Sequence, residues 1–66
     1  MEGIVVRLVR DRGFGFIAAP DGNEYFFHAT GCIGRVAFAE LREQQPVDFE
    51  IGKSPKGLRA IDVEAR

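Results

Sequence analysis

The sequence predicts an all-β fold, a small barrel of five antiparallel strands, and three observations predict it. Five short stretches rich in β-branched and aromatic residues are each bounded by turn residues. The one long connection, Ala29 to Gln45, contains Gly31 and Gly34 and has room for no more than a helical turn. The two middle strands carry apolar residues on both faces, and no helix elsewhere in the chain is available to cover the second face. Five strands with a single long crossing connection fit a closed barrel better than an open sheet, because closure removes exposed edges.

Ile4 to Val9 is the first strand. Its apolar residues do not alternate cleanly around Arg7, which implies burial on both faces or a bulge. Arg10-Asp11-Arg12-Gly13 is a turn, and Phe14 to Ala18 the second strand. Pro20-Asp21-Gly22-Asn23 is a strong turn signal before a third strand, Glu24 to His28. Within the long connection, Phe38-Ala39-Glu40-Leu41-Arg42 can hold a short helical turn. Pro46 opens the fourth strand, Val47 to Ile51, where Val47, Phe49 and Ile51 alternate with Asp48 and Glu50 and are expected to face inward. Gly52 to Gly57 reads as a polar, basic loop. Leu58 to Glu64 is the fifth strand, with Ile61 and Val63 expected inward.

At 66 residues, positions 1–66 are read as a single domain, too small for a deep enzyme pocket. One cysteine, Cys32, excludes an intramolecular disulfide and fits a reducing compartment; with no long apolar run, the reading is a soluble, cytoplasmic protein without a membrane partner. A net charge of −1 argues against a histone-like electrostatic binder. The charge is uneven, however. Arg7, Arg10 and Arg12 gather near the aromatic stretches, whereas Glu40, Glu43, Asp48 and Glu50 gather later in the chain.

The chemistry lies in Arg12-Gly13-Phe14-Gly15-Phe16-Ile17 and Tyr25-Phe26-Phe27-His28. Strand alternation sends Ile17, Tyr25 and Phe27 to the core and leaves Phe14, Phe16, Phe26 and His28 together on the other face. Exposed rings beside a cation suit stacked nucleobases, with Arg12 for phosphate. Arg7, Lys56 and Arg59 are further candidates for phosphate. His28 and Cys32 are too few ligands for a structural zinc site, no nucleophile–base set accompanies His28, and no cofactor motif is present, so neither metal, cofactor nor catalysis is expected. Gly31-Cys32-Ile33-Gly34 matches the backbone-clamping loop of KH domains but lacks its flanking helices and reads as a turn.

Arg12 to Ile17 also resembles the first ribonucleoprotein motif. The RRM that carries it places its second aromatic motif earlier in the chain and backs its sheet with helices, so its order does not match. The chain instead resembles bacterial cold-shock proteins over essentially its whole length. The likeness rests on Glu2-Gly3, the two aromatic motifs in order, Phe38-Ala39-Glu40-Leu41, Val47-Asp48-Phe49-Glu50, and Lys56-Gly57-Leu58-Arg59-Ala60-Ile61-Asp62-Val63. The resemblance implies an OB-fold-type barrel that binds single-stranded RNA or DNA. It also implies a role as RNA chaperone or regulator of transcription and translation. The family's stacking positions are matched by Phe14, Phe16, Phe26, His28 and Phe38. Two departures stand out: the family's first-strand tryptophan is replaced by Arg7, and the aromatic that follows its histidine is replaced by Ala29. At roughly 1–3 kcal/mol per stacked base, such losses weaken binding unless Arg7 compensates. The rival expectation is a protein-interaction or self-association module on the same fold. A monomer is expected, with a strand-exchanged dimer through the long connection as the alternative.

Overall fold

The computed structural model describes residues Met1–Arg66. Its strands are β1 (Glu2–Val9), β2 (Phe14–Ala18), β3 (Glu24–His28), β4 (Pro46–Ser54) and β5 (Gly57–Ala65). The long connection holds two single 3₁₀ turns, Ala29–Gly31 and Phe38–Glu40, and no α-helix. The strands form one antiparallel sheet in the order β3-β2-β1-β4-β5. This is the predicted all-β architecture of a small OB-fold-type barrel, with one difference. The hydrogen-bond ladder does not close. β3 is only five residues long and runs directly into the first 3₁₀ turn. The chain after that turn meets β5 instead, through a parallel bridge between Cys32 and Val63 and the Ile33 amide on the Val63 carbonyl at 2.8 Å. The edge of β5 is therefore partly occupied without a β3–β5 ladder.

The core is the inner face of the curled sheet: Val5, Ile17, Tyr25, Phe27, Val47, Phe49, Ala60 and Val63, capped by Leu41 from the long connection. Ile17, Tyr25 and Phe27 fall there as alternation required. Two positions expected inward do not. On β5, Asp62 has φ +51° and the register slips, so that two β5 residues, Asp62 and Val63, stand between partners that bracket the single residue Phe49 on β4. Such a bulge breaks the two-residue period, and aspartate tolerates the left-handed backbone it needs. Ala60 and Val63 are consequently the buried pair, and Ile61 turns to the other face, against Gly52. Ile51 is 37 % exposed because the β4–β5 hairpin runs on past the body of the sheet. The expected loop at Gly52 to Gly57 shrinks for the same reason: Ser54 pairs with Gly57, leaving Pro55-Lys56 as a two-residue turn, tied by the Ser54 hydroxyl to the Gly57 carbonyl at 2.8 Å.

β1 carries the other bulge. Val5 pairs with Ile17 but Arg7 pairs with Phe16, so Val6 is the extra residue. This is the physical content of the irregular apolar pattern in the first strand. The bulge keeps Val5 inside and moves Arg7 to the outer face, where an unbroken strand would have aimed it at the core. Arg10, at the end of the strand, leaves the basic cluster altogether. Its guanidinium donates to the Leu41 carbonyl at 2.6 Å and pins the long connection to the β1–β2 turn.

The turn before β3 is held by Asp21, whose carboxylate accepts from the Asn23 amide at 2.9 Å and the Tyr25 hydroxyl at 2.6 Å. The Tyr25 hydroxyl, followed by the Asn23 amide, lowers the Asp21 carboxyl below its ordinary 3.8. The same bond raises the Tyr25 phenol above its ordinary 10.0. A carboxyl lowered in the folded state stabilises the fold above its unfolded pKa and loses that contribution as pH falls through the folded one. The stability difference between the protein and Tyr25→Phe is therefore expected to be full near pH 7 and to shrink below about pH 4. Thermal melts of both across that range check it, and a difference that does not change with pH would remove the Asp21 bond as a contributor.

Candidate nucleic-acid interface

The outer face of β1, β2 and β3 is built in cross-strand rows. Directly paired residues in an antiparallel sheet share a face. One row is His28, Phe14 and Val9; the next is Phe26, Phe16 and Arg7. The three phenylalanine rings form one cluster: Phe14 and Phe26 have centroids 5.5 Å apart, and Phe16 meets each of them edge-on at 6.0 Å. All three are half-buried, packed on one another and open on the side away from the sheet. Edge-to-face geometry is the favoured arrangement for such rings and leaves faces free to stack.

Gly15, between Phe14 and Phe16, is what allows the strand to carry rings on one face only. It lies on the inner face opposite Phe27, whose ring covers it. Gly13 has a different task, since its φ of +73° closes the turn between β1 and β2. Its carbonyl also receives the Ala29 amide at 2.8 Å, which anchors the end of β3 beside the turn.

His28 stands at the edge of the cluster. The Thr30 amide donates to its Nδ1 at 3.1 Å, which places the proton of the neutral ring on Nε2. The Thr30 hydroxyl oxygen lies 2.9 Å from the same Nδ1. The ring is thereby held in one orientation with a donor left over.

A cleft of about 600 Å³ opens beside this face, lined by Phe26 and His28 on one side and by Ser54, Pro55, Lys56, Leu58 and Arg59 of the β4–β5 hairpin on the other. The hairpin thus brings Lys56 and Arg59 to the ring cluster, a proximity that the chain order does not reveal. It also brings Leu58, 56 % exposed, which the sequence analysis did not single out. An exposed leucine in a strand of mixed character carries no signal until the fold of the hairpin is known. Phe38 is placed differently: half-buried, it packs edge-on against the core ring of Phe27 at 5.9 Å and has no ring contact with Phe14, Phe16 or Phe26.

Arg7, Arg12, Lys56 and Arg59 are exposed and make no ion pair; the only salt bridges join Arg66 to Glu2 and to Asp48 of β4. On β4 and β5, Asp48 is paired opposite Glu64, while the Glu43 carboxylate reaches the Leu8 amide beside Arg7 at 3.4 Å. Burial pushes the Cys32 thiol above its ordinary 9.0, which disfavours the thiolate form. No group of three or more histidine, cysteine or acidic side chains is close enough to hold a metal. No helix is long and apolar enough to cross a membrane.

The model of the 'cold-shock' DNA-binding domain matches residues 1–66. A probable cold shock protein A of Mycobacterium tuberculosis is 45 % identical over 65 residues, covering 97 % of this chain and 96 % of the relative. The cold shock-like protein CspI of Escherichia coli is 38 % identical over 65 residues, covering 98 % and 93 %. A cold shock-like protein CspA of Stigmatella aurantiaca is 41 % identical over 54 residues, covering 82 % and 79 %. Fold, aromatic motifs and relatives agree, and this chain belongs to the cold-shock domain family of nucleic-acid-binding proteins.

Proposed function

We propose that the chain binds single-stranded RNA or DNA as a monomer, by stacking unpaired bases on Phe14, Phe16, Phe26 and His28. The observation that carries this reading is the cluster of three phenylalanine rings on a solvent-facing sheet surface, with unpaired cations around it. Arg12, Lys56 and Arg59 take phosphates, and Arg7 faces the strand from β1. Phe38 is secondary, reached only where the strand continues past β3. Stacking demands unpaired bases, so binding draws RNA toward its open state by mass action. That is the physical basis for action as an RNA chaperone, and for effects on transcription and translation, in the cytoplasm. No catalytic step is part of this function.

Titration with oligo-dT and oligo-U, followed by amide chemical shifts at low and physiological salt, tests it. Saturable shifts at Phe14, Phe16, Phe26 and His28 are expected. Affinity should fall with salt at a slope of roughly −2 to −3, since each phosphate neutralised on a single strand contributes about −0.7. No shifts at millimolar oligonucleotide would overturn the proposal, and sedimentation that then changed with protein concentration would identify self-association as the use of this face.

A further inference from the structure

The bulge at Val6 has an effect specific to this chain. It sets Arg7 directly across from Phe16, on the outer face, with an exposed side chain. Among the arginines, only Arg10 and Arg66 have side chains engaged in hydrogen bonds, so the donors of Arg7 are all free. Glu43, whose carboxylate reaches the neighbouring Leu8 amide at 3.4 Å, makes no ion pair with it. A base lying on Phe16 presents one edge toward β1, and Arg7 is the polar side chain that stands in that row.

We propose that Arg7 reads the edge of a guanine stacked on Phe16, so that this face prefers a guanine at one position of an otherwise loosely specified strand. This rests on the single-strand binding proposed above. Guanine offers two adjacent acceptors, O6 and N7, matched to the planar fork of a guanidinium. On the same edge adenine pairs an acceptor with a donor, thymine or uracil offers one oxygen and cytosine only a donor, its adjacent acceptors O2 and N3 lying on the Watson–Crick edge, so none of them takes both N–H groups there. A ring at this place would stack on any base alike; a guanidinium beside a ring discriminates. The cross-strand position favours this over a phosphate role, because Arg7 lies in the row of the rings whereas Lys56 and Arg59 line the cleft beside them.

The test compares a thymidine heptamer with the same heptamer carrying one central guanine, and with versions carrying inosine or 7-deazaguanine there. Guanine and inosine, which both keep O6 and N7, are expected to bind about tenfold more tightly than thymine, and 7-deazaguanine, which lacks N7, to lose most of that gain. Arg7→Gln should abolish the preference, so that the guanine and thymidine heptamers bind alike, and Arg7→Lys, with no fork, should restore little of it. Equal affinity for the heptamers with saturable binding would overturn the inference and leave the single-strand reading standing. An Arg7→Gln protein that keeps the guanine preference and binds both heptamers more weakly, with a salt slope reduced by about 0.7, would make Arg7 a phosphate contact and overturn it too. Absence of binding to any heptamer would take the single-strand reading down with it.

Discussion

Gly15→Ala is expected to lower the melting temperature by at least about 10–20 °C, or to prevent folding, although the change adds a single methyl group. A Cβ at Gly15 would stand 2.5 Å from the Arg7 carbonyl oxygen and 2.8 Å from Cε1 of Phe27. Neither neighbour can retreat cheaply. The carbonyl belongs to the β1 backbone beside the Val6 bulge, and the Phe27 ring is fully buried. Overpacking costs about 1–3 kcal/mol, occasionally more, when the surroundings can adjust. A chain of this length has roughly 3–10 kcal/mol of stability in total, and each 1 kcal/mol shifts the midpoint by about 4–8 °C. Phe27→Leu added to Gly15→Ala should recover only part of the loss, since it relieves the ring contact but not the backbone one. Circular-dichroism melts of the single and double variants decide this. An alanine variant that melts within a few degrees of the parent would show that β1 and β2 separate more easily than their pairing implies.

The glycine illustrates what was legible in the sequence and what was not. Alternation alone placed Ile17, Tyr25 and Phe27 inside and Phe14, Phe16 and Phe26 outside, because both strands are short, regular and bounded by strong turns. It failed where the period itself is broken. The bulge at Asp62 leaves no mark in the apolar pattern of β5, so Ile61 rather than Ala60 looked like the core residue. The bulge at Val6 did leave a mark, an irregular run of aliphatics, but not the information that Arg7 would face the rings. The outer boundary of the site was the least legible part. Lys56 and Arg59 reach the rings only because β4 and β5 extend as a hairpin beside β3, a contact between segments separated by about half the chain. Closure of the barrel also went beyond what the strand count supports, since a five-residue β3 hands its edge to the following turn.

Phe26→Ala and Phe27→Ala are neighbours in sequence and should fail in opposite ways. Phe27 is fully buried at the centre of the core, and truncating such a ring costs about 3–5 kcal/mol, enough to unfold most of a chain this small. Phe26 lies on the outer face against Phe14 and Phe16, so its loss removes ring–ring contacts worth about 0.5–1.5 kcal/mol each and opens no cavity. Its variant should fold, melt modestly below the parent, and bind oligo-dT about 5- to 150-fold more weakly, the range of one lost stacking ring at about 1–3 kcal/mol. Phe16→Ala should behave likewise. Combining it with Phe26→Ala should cost less than the product of the two, because cross-strand rings that meet at 6.0 Å can serve the same base. Calorimetric titration of each folded variant measures these losses. Unchanged affinity in the double variant would mean that the rings are not where bases stack, and the cleft between His28 and the β4–β5 hairpin would then be the surface to test next.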